Sequence, residues 1–231
     1  MTVPPWTRWA SELAGTALLV GLGTGTIVGA AARGGIPQWA MALAWTAAVL
    51  VPILLFIRVS GAHLNPAVTL ALATSGRIAW AEVPPYVGSQ FAGAFLGSAL
   101  VELFVGRGAH LGATLPSTTN LLVVFVGELA FTALLIVAVF WLSDRGEGRW
   151  RLRVLLPPMA VGVSTLLIGP LTGSSLNPAR SVAPAVLSGA YTDLGVYLIA
   201  VPLAALLVGL AWGPRSVDRL DRGPGRTKTN R

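Results

Sequence analysis

The sequence predicts an all-α membrane protein with six transmembrane helices and two re-entrant half-helices, arranged as an inverted repeat. Three observations predict this fold class. Hydrophobic residues make up 54% of the chain and charged residues only 11%, against roughly 25% in a soluble domain. The apolar residues form six runs close to the length of about 20 residues that a span needs. One short polar motif recurs between such runs in each half of the chain.

The six predicted spans are joined by polar loops and by the two copies of the motif. The first span is rich in glycine and alanine, which lets neighbouring helices approach closely. The second contains Pro52, which is tolerated in a membrane because neighbouring helices can satisfy the freed carbonyl. The predicted spans are 13–32, 38–57, 85–105, 121–142, 154–171 and 194–212.

The repeated motif is Leu-Asn-Pro-Ala, which occupies 64–67 and 176–179. Asn is a favoured N-cap residue, and Pro fits the first helical position, where its missing N–H costs nothing. Each copy therefore predicts the start of a short helix, at 66–74 and 178–186. These helices are too short to cross a bilayer. A helix start at membrane depth is tolerated only where it lines a cavity or is held by protein.

The two halves of the chain are expected to have opposite orientations in the membrane. Each half holds three spans and one half-helix, and an odd number of spans inverts the second half relative to the first. Inverted repeats place their binding site where broken helices meet, near the bilayer midplane. We therefore expect Asn65 and Asn177 to meet there.

This predicted meeting point has a definite chemistry. Each Asn uses its side-chain oxygen to cap its own helix and keeps its amide NH₂ free to donate. Both half-helices also direct the positive ends of their dipoles towards this place. Water or a neutral hydroxyl is accepted there, whereas a cation or a hydronium ion is not. The sequence therefore predicts single-file conduction of neutral solutes without proton leak.

The positive charges indicate the orientation of the spans. If both termini lie inside, the inner segments hold all 16 Lys and Arg residues except Arg33, Arg107 and Arg180. This bias places both termini in the cytoplasm. The net charge of +7 is then explained by inner loops and by a disordered tail at 213–231 near anionic lipid. Nucleic acid is not an expected partner.

The composition argues against an enzyme. The chain has two His and no Cys, and its carboxylates are not clustered, so metal and nucleophilic chemistry are poorly supplied. A secondary transporter also uses inverted repeats and broken helices, but the inferred pore has no pair of acids to carry a coupling ion. We expect no enzymatic activity, no cofactor and no metal site.

The paired boxes resemble those of the aquaporin and glycerol-facilitator family, the major intrinsic proteins. The resemblance covers about residues 9–212 and includes Glu12 in Glu-Leu-Ala-Gly-Thr, Gln90 in Gln-Phe-Ala-Gly-Ala, and Glu128 at the start of the second half. It implies a passive channel for water and small uncharged solutes such as glycerol, which excludes protons and ions. The alternatives are a water-selective aquaporin and a secondary transporter.

The resemblance also implies an organisation and an assembly. A cytoplasmic N-terminus at 1–10 precedes an aquaporin-like channel domain at 11–212, and the tail follows it. The two repeats lie at about 11–106 and 120–212. The family is expected to form homotetramers with one pore in each subunit, surrounded by the lipid of the cell membrane.

The resemblance assigns a selectivity filter to Trp45, Thr165, Ser174 and Arg180. Strict water channels commonly carry Phe and His at the first two positions, and glycerol facilitators follow the second-box Arg with Asp rather than Ser181. The set is nearest to the Trp-containing filters of the plant nodulin-like branch, which pass water, glycerol and other small uncharged solutes. Two alternatives stay open: an interfacial Arg180 that points outward, and a Trp45 that only packs between helices. The residues of the two boxes are Asn65, Pro66, Ala67, Asn177, Pro178 and Ala179.

Four more polar residues are expected near the half-helices. Buried carboxylates need hydrogen-bond donors, and the loops before the half-helices have backbone amides to spare. Glu12 and Glu128 are therefore predicted to be structural braces, with a proton relay as the alternative, and Gln90 is predicted to be a buried structural residue. His63 is expected to be a hydrogen-bonded residue of the inner vestibule, with a pH gate as the alternative.

Overall fold

The computed structural model describes residues 3–143 and 150–213, and these residues form helices and connecting loops without a β-strand. The predicted tail lies outside the described residues from position 214 onward, and so does the centre of the loop between the predicted spans 121–142 and 154–171. The α-helices of the described part are α1 Pro5–Ala31, α2 Gln38–Phe56, α3 Pro66–Thr74, α4 Val83–Phe104, α5 Leu121–Ser143, α6 Trp150–Leu167, α7 Gly169–Thr172, α8 Pro178–Ser188 and α9 Leu194–Trp212.

Six of these helices take the places of the predicted spans. By length and composition, α1, α2, α5 and α9 can cross a membrane, and so can α4 together with the 3-10 turn Trp80–Glu82 before it. The sixth, α6, contains the shorter apolar stretch Val154–Leu167. The short helices α3 and α8 follow the two boxes. The predicted fold class, six spans with two half-helices, is confirmed.

The first helix begins earlier than predicted. It starts at Pro5, in the first helical position, rather than at residue 13. Its added turns are docked on the start of α4, because Arg8 Nη2 lies 3.0 Å from Glu82 Oε1. The predicted N-terminal segment at 1–10 is therefore largely part of the first helix, and the apolar run alone underestimated its length.

The fifth span is also different from the prediction at 154–171. The helix α6 ends at Leu167, and a single turn, α7, follows it. Pro170 has no N–H and cannot donate the hydrogen bond that would continue α6. This break brings Thr172 and Gly173 to the entrance of the second box.

Helix packing follows the inverted repeat. Within the halves, α1 packs on α4, and α5 packs on α9. Across the halves, α3 packs on α9, and α8 packs on α4. The α1–α4 crossing is so close that it requires glycine on α4. A Cβ at Gly93 would lie 2.2 Å from the Leu13 carbonyl oxygen, and one at Gly97 would lie 2.5 Å from that of Ala17. Each half-helix is thus held by a long helix of the opposite half.

Candidate functional site

Both boxes open their half-helices as capped helix starts. Asn65 has an extended backbone, and its Oδ1 accepts a hydrogen bond from the Ala67 N–H at 2.9 Å. Asn177 Oδ1 accepts from the N–H groups of Ala179, at 3.0 Å, and Arg180, at 3.3 Å. Pro66 and Pro178 follow the caps inside their helices, where no N–H is needed. The four residues Pro66, Ala67, Pro178 and Ala179 are buried.

The two box asparagines are also bonded across the repeat, which corrects one expectation. Asn65 Nδ2 donates to the Leu176 carbonyl at 2.7 Å, and Asn177 Nδ2 donates to the Leu64 carbonyl at 2.9 Å. The expectation that each amide NH₂ is wholly free is therefore wrong. Leu64 and Leu176 both have a left-handed backbone, with φ of 55° and 51°, in loops that reach the opposite box. Because an NH₂ group carries two hydrogens, each Asn keeps one for another acceptor.

Glu12 holds the loop in front of the first box. It is fully buried, and its Oε1 accepts from the Ser60 hydroxyl at 2.6 Å and from the His63 N–H at 2.9 Å. Its Oε2 accepts from the Leu64 N–H at 2.7 Å and from Gln90 Nε2 at 2.8 Å. All four carboxylate bonds go to groups that shape the loop, since Gln90 also reaches Thr69 of α3 at 2.9 Å.

Glu128 does the same for the second box. It is fully buried, and its oxygens accept from the Ser175 N–H at 3.0 and 3.1 Å and from the Leu176 N–H at 3.0 Å. The Thr172 hydroxyl adds a bond to Oε1 at 2.8 Å. Thr172 and Ser175 take the places that Ser60 and His63 have in the first half. The geometry of both glutamates is that of a brace on backbone donors.

Two tyrosines complete the braces and were missed from the sequence. The Tyr86 hydroxyl donates to the Ser60 carbonyl at 2.9 Å, and the Tyr197 hydroxyl donates to the Thr172 carbonyl at 2.5 Å. A signal existed, because Tyr86 follows Asn65 by 21 residues and Tyr197 follows Asn177 by 20 residues. The repeat therefore fixes both ends of each loop, by a carboxylate and by a phenol.

Arg180 is buried and is bonded inward. It is 1% exposed, and its Nη1 donates to the Gly112 carbonyl at 2.9 Å and to Thr114 Oγ1 at 2.8 Å. Its guanidinium carbon lies 4.6 Å from the centroid of the Trp45 ring. An arginine pointing outward to the membrane surface does not have these contacts. Trp45 packs on Gly23, where a Cβ would lie 2.4–2.8 Å from three ring atoms, so a larger residue there would displace the indole.

Thr165 and Ser174 both lie close to Gly169. A Cβ at Gly169 would be 3.6 Å from Thr165 Cγ2 and 3.9 Å from Ser174 Cβ. The Ser174 hydroxyl is 2.8 Å from that of Ser164, and the Thr165 carbonyl accepts from Gln38 Nε2 at 2.5 Å. The structure thus pairs Trp45 with Arg180 and brings Thr165 beside Ser174.

The supporting residues of these four side chains were not found from the sequence. Gly112 and Thr114 belong to a loop that was predicted only as polar, yet both are buried. An irregular loop has no periodicity that would mark its inward-facing residues. Ser164 and Gln38 are ordinary polar residues in or beside apolar runs, and nothing in their spacing indicates a partner.

His63 lies in the loop before the first box and is well bonded. Its N–H donates to Glu12, its Nδ1 is 3.1 Å from Thr69 Oγ1, and its ring centroid is 4.7 Å from that of Tyr86. Among the residues that the structure describes, no group of three or more His, Cys, Asp or Glu side chains is placed to hold a metal ion.

Two capped half-helices that meet head to head inside a bundle of apolar spans define a multi-pass membrane channel. Residues 1–212 match the family described as Major intrinsic protein. The chain belongs to the major intrinsic protein family, and it is a channel for water and small solutes rather than an enzyme.

Individual relatives agree with this assignment. Aquaporin NIP1-1 of Zea mays is 36% identical over 214 residues, which cover 92% of this chain and 75% of the relative. Nodulin-26 of Glycine max is 36% identical over 180 residues, 74% of this chain and 63% of the relative. The X-ray structure of the aquaglyceroporin from Plasmodium falciparum superimposes with a TM-score of 0.75 at 25% identity, and covers 90% of this chain and 94% of the other. The sequence similarity to NIP1-1 and the structural similarity to the aquaglyceroporin thus each cover most of this chain, 92% and 90% of it.

Proposed function

We propose that the protein is a passive channel for water and small uncharged solutes of the size of glycerol, which excludes protons and ions. The observation that carries this proposal is the environment of Arg180. The guanidinium is buried, and its hydrogen bonds go to two neutral oxygens. The ion pairs between described side chains, such as Arg8–Glu82 and Arg107–Glu102, do not include it. A buried positive charge whose hydrogen bonds go to neutral oxygens and not to a carboxylate repels cations and donates to a passing hydroxyl.

The boxes supply the second barrier to charge. The remaining amide hydrogen of Asn65 and that of Asn177 can donate to a solute oxygen, and the N-termini of α3 and α8 add positive potential. Water that accepts from both asparagines points its own hydrogens away from the centre. Such water does not relay a proton through this point. Pro66, Ala67, Pro178 and Ala179 shape these helix starts.

The proposed filter is expected to admit a carbon backbone. Trp45 offers an apolar face beside Arg180, while Thr165 and Ser174 are small and lie next to Gly169. Glycerol has carbon atoms for the indole and hydroxyls for the guanidinium. The structural match to a protein described as an aquaglyceroporin supports a solute range beyond water. A water-selective aquaporin is the second candidate, since the packing of Trp45 directly on Arg180 narrows this side of the path.

The assembly and the location are part of the proposal. Both termini face the cytoplasm, and the protein lies in the cell membrane as a homotetramer with one pore in each subunit. Large apolar side chains on the outer faces support a chain surrounded by lipid and by other copies, among them Trp39, Leu43, Leu55, Leu103, Phe104 and Leu122. Native mass measurement in a mild detergent is expected to show four chains, and an active monomer would contradict the tetramer.

The proposed function is tested by flux in proteoliposomes that contain the purified full chain. Stopped-flow light scattering is expected to show passage of both water and glycerol, without saturation and without dependence on a proton or sodium gradient. Liposomes without protein are the control. Flux that saturates and follows an ion gradient would instead indicate a secondary transporter.

A further inference from the structure

We propose that Thr114 positions the Arg180 guanidinium, through an oriented chain of hydroxyls that ends at the second box. This makes Thr114 a specificity-determining residue outside both boxes, and the inference rests on the proposed role of Arg180 in the filter. Thr114 lies in the outer loop between α4 and α5, and it is only 3% exposed.

The chain of contacts runs without interruption from the cation to the box. Thr114 Oγ1 lies 2.8 Å from Arg180 Nη1 and 2.8 Å from Ser181 Oγ. Ser181 Oγ lies 2.6 Å from Ser175 Oγ, which donates to the Asn177 carbonyl at 3.3 Å. None of these five residues is more than 5% exposed. The chain therefore joins the arginine to the cap of its own half-helix by a route through the outer loop.

The guanidinium determines which group donates and which accepts in each hydrogen bond of this chain. An arginine only donates, so Thr114 Oγ1 must accept from it. The remaining hydroxyl hydrogen of Thr114 goes to Ser181, because leaving it unpaired in a buried place costs about 1–3 kcal/mol. Ser181 then donates to Ser175, and Ser175 donates to the Asn177 carbonyl. A chain in which each hydroxyl accepts from one neighbour and donates to the next is cooperatively strengthened.

The consequence for the filter is a fixed orientation of Arg180. Both hydrogens of Nη1 are used, one by the Gly112 carbonyl and one by Thr114. Nη2 makes no hydrogen bond to a described residue and neither does the buried Nε, so these two groups carry the donors left for a solute. Without the Thr114 hydroxyl, one Nη1 hydrogen has no acceptor, and the guanidinium turns on the Trp45 face to find another. The N–H groups of Arg180 that face the solute then change.

The loop is seated firmly enough for this task. Gly112 has a left-handed backbone with φ of +69°, and a Cβ there would lie 2.8 Å from Thr24 Cβ on α1. The loop backbone therefore rests directly on the first helix, and Leu111 beside it is fully buried. Two acceptors on an anchored loop can hold a long side chain in one position.

The test compares Thr114→Val, which keeps the shape and removes the hydroxyl, with Thr114→Ser, which restores it. Glycerol and water permeabilities and proton leak are measured in proteoliposomes of the full chain. Because a charge-assisted hydrogen bond is lost, we expect the glycerol-to-water ratio of Thr114→Val to change by about three- to tenfold. Thr114→Ser is expected to restore the ratio. Thr119→Val, an exposed threonine of the same loop, is the matched control and is expected to match the wild type.

A double-mutant comparison separates positioning from general loop structure. If Thr114 acts through Arg180, Thr114→Val causes no further change in ratio or proton leak in an Arg180→Ala channel. Ser181→Ala is expected to shift the ratio in the same direction by less, and it carries the test if Thr114→Val does not fold. Wild-type values in folded Thr114→Val, or a fully additive effect with Arg180→Ala, would overturn the inference. A wild type that passes water but no glycerol would refute the proposed solute range instead. The proton leak of Thr114→Val relative to the wild type would then test whether Thr114 positions Arg180.

Discussion

Removal of the Glu128 carboxylate is expected to be among the most damaging single changes in this protein. The side chain is fully buried and accepts from the N–H groups of Ser175 and Leu176 as well as from the Thr172 hydroxyl. In Glu128→Ala both buried N–H groups lose their acceptor. Each buried unsatisfied donor costs about 1–3 kcal/mol, so the two together cost about 2–6 kcal/mol. The threonine hydroxyl can rotate to another acceptor and adds less.

The assay is unfolding of the purified channel in mild detergent, together with water flux in proteoliposomes. Glu102→Ala is the matched control, because Glu102 pairs with Arg107 at 3.3 Å where both side chains are partly exposed. A surface pair of this kind contributes about 0–1 kcal/mol. We expect Glu128→Ala to lower stability well beyond Glu102→Ala and to reduce water flux. Equal stability and equal flux in the two variants would show that the carboxylate does not hold the second loop.

Three further predictions concern the groups around the filter and the braces. Arg180→Ala is expected to raise proton or cation leak while neutral flux persists, and unchanged selectivity in a folded variant would place Arg180 outside the pore. Gly23→Ala puts a methyl group onto the Trp45 ring and is expected to cost about 1–3 kcal/mol, whereas Gly88→Ala, which meets no atom within 4 Å, should be neutral or stabilising. Tyr197→Phe removes the donor to the Thr172 carbonyl and is expected to cost about 1 kcal/mol of stability. The control is Tyr191→Phe, which changes an exposed tyrosine. Equal stability of the two variants would show that the Tyr197 hydroxyl does not brace the loop.

The starts of the box helices could be predicted because the interactions that fix them are between residues close in sequence. An Asn that caps a helix and a Pro in its first turn act through neighbouring atoms, and the structure shows both. The fold class followed from the composition and from the repeat, which do not depend on distant contacts. The start of α1 was missed because its first turns are docked by a pair between Arg8 and Glu82, 74 residues apart.

The crossed bonds of the asparagines could not be predicted for the same reason. They depend on left-handed backbones at Leu64 and Leu176, and a leucine rarely adopts that conformation. The acceptors of Arg180 lie in a loop that approaches the second box only in three dimensions, more than 60 residues away along the chain. A sequence can mark a buried arginine as needing partners, but it cannot say which loop provides them.

The proposed filter passes a solute of the size of glycerol because Thr165, which lies beside Ser174, lacks the bulk of an imidazole. Comparing glycerol flux with water flux in the wild type and in Thr165→His tests it most directly. The wild type is expected to conduct both, and Thr165→His, which restores bulk and a donor, is expected to lose glycerol flux far more than water flux. A wild type that passes water alone would contradict the claim and would mean that Trp45 closes the path beside Arg180.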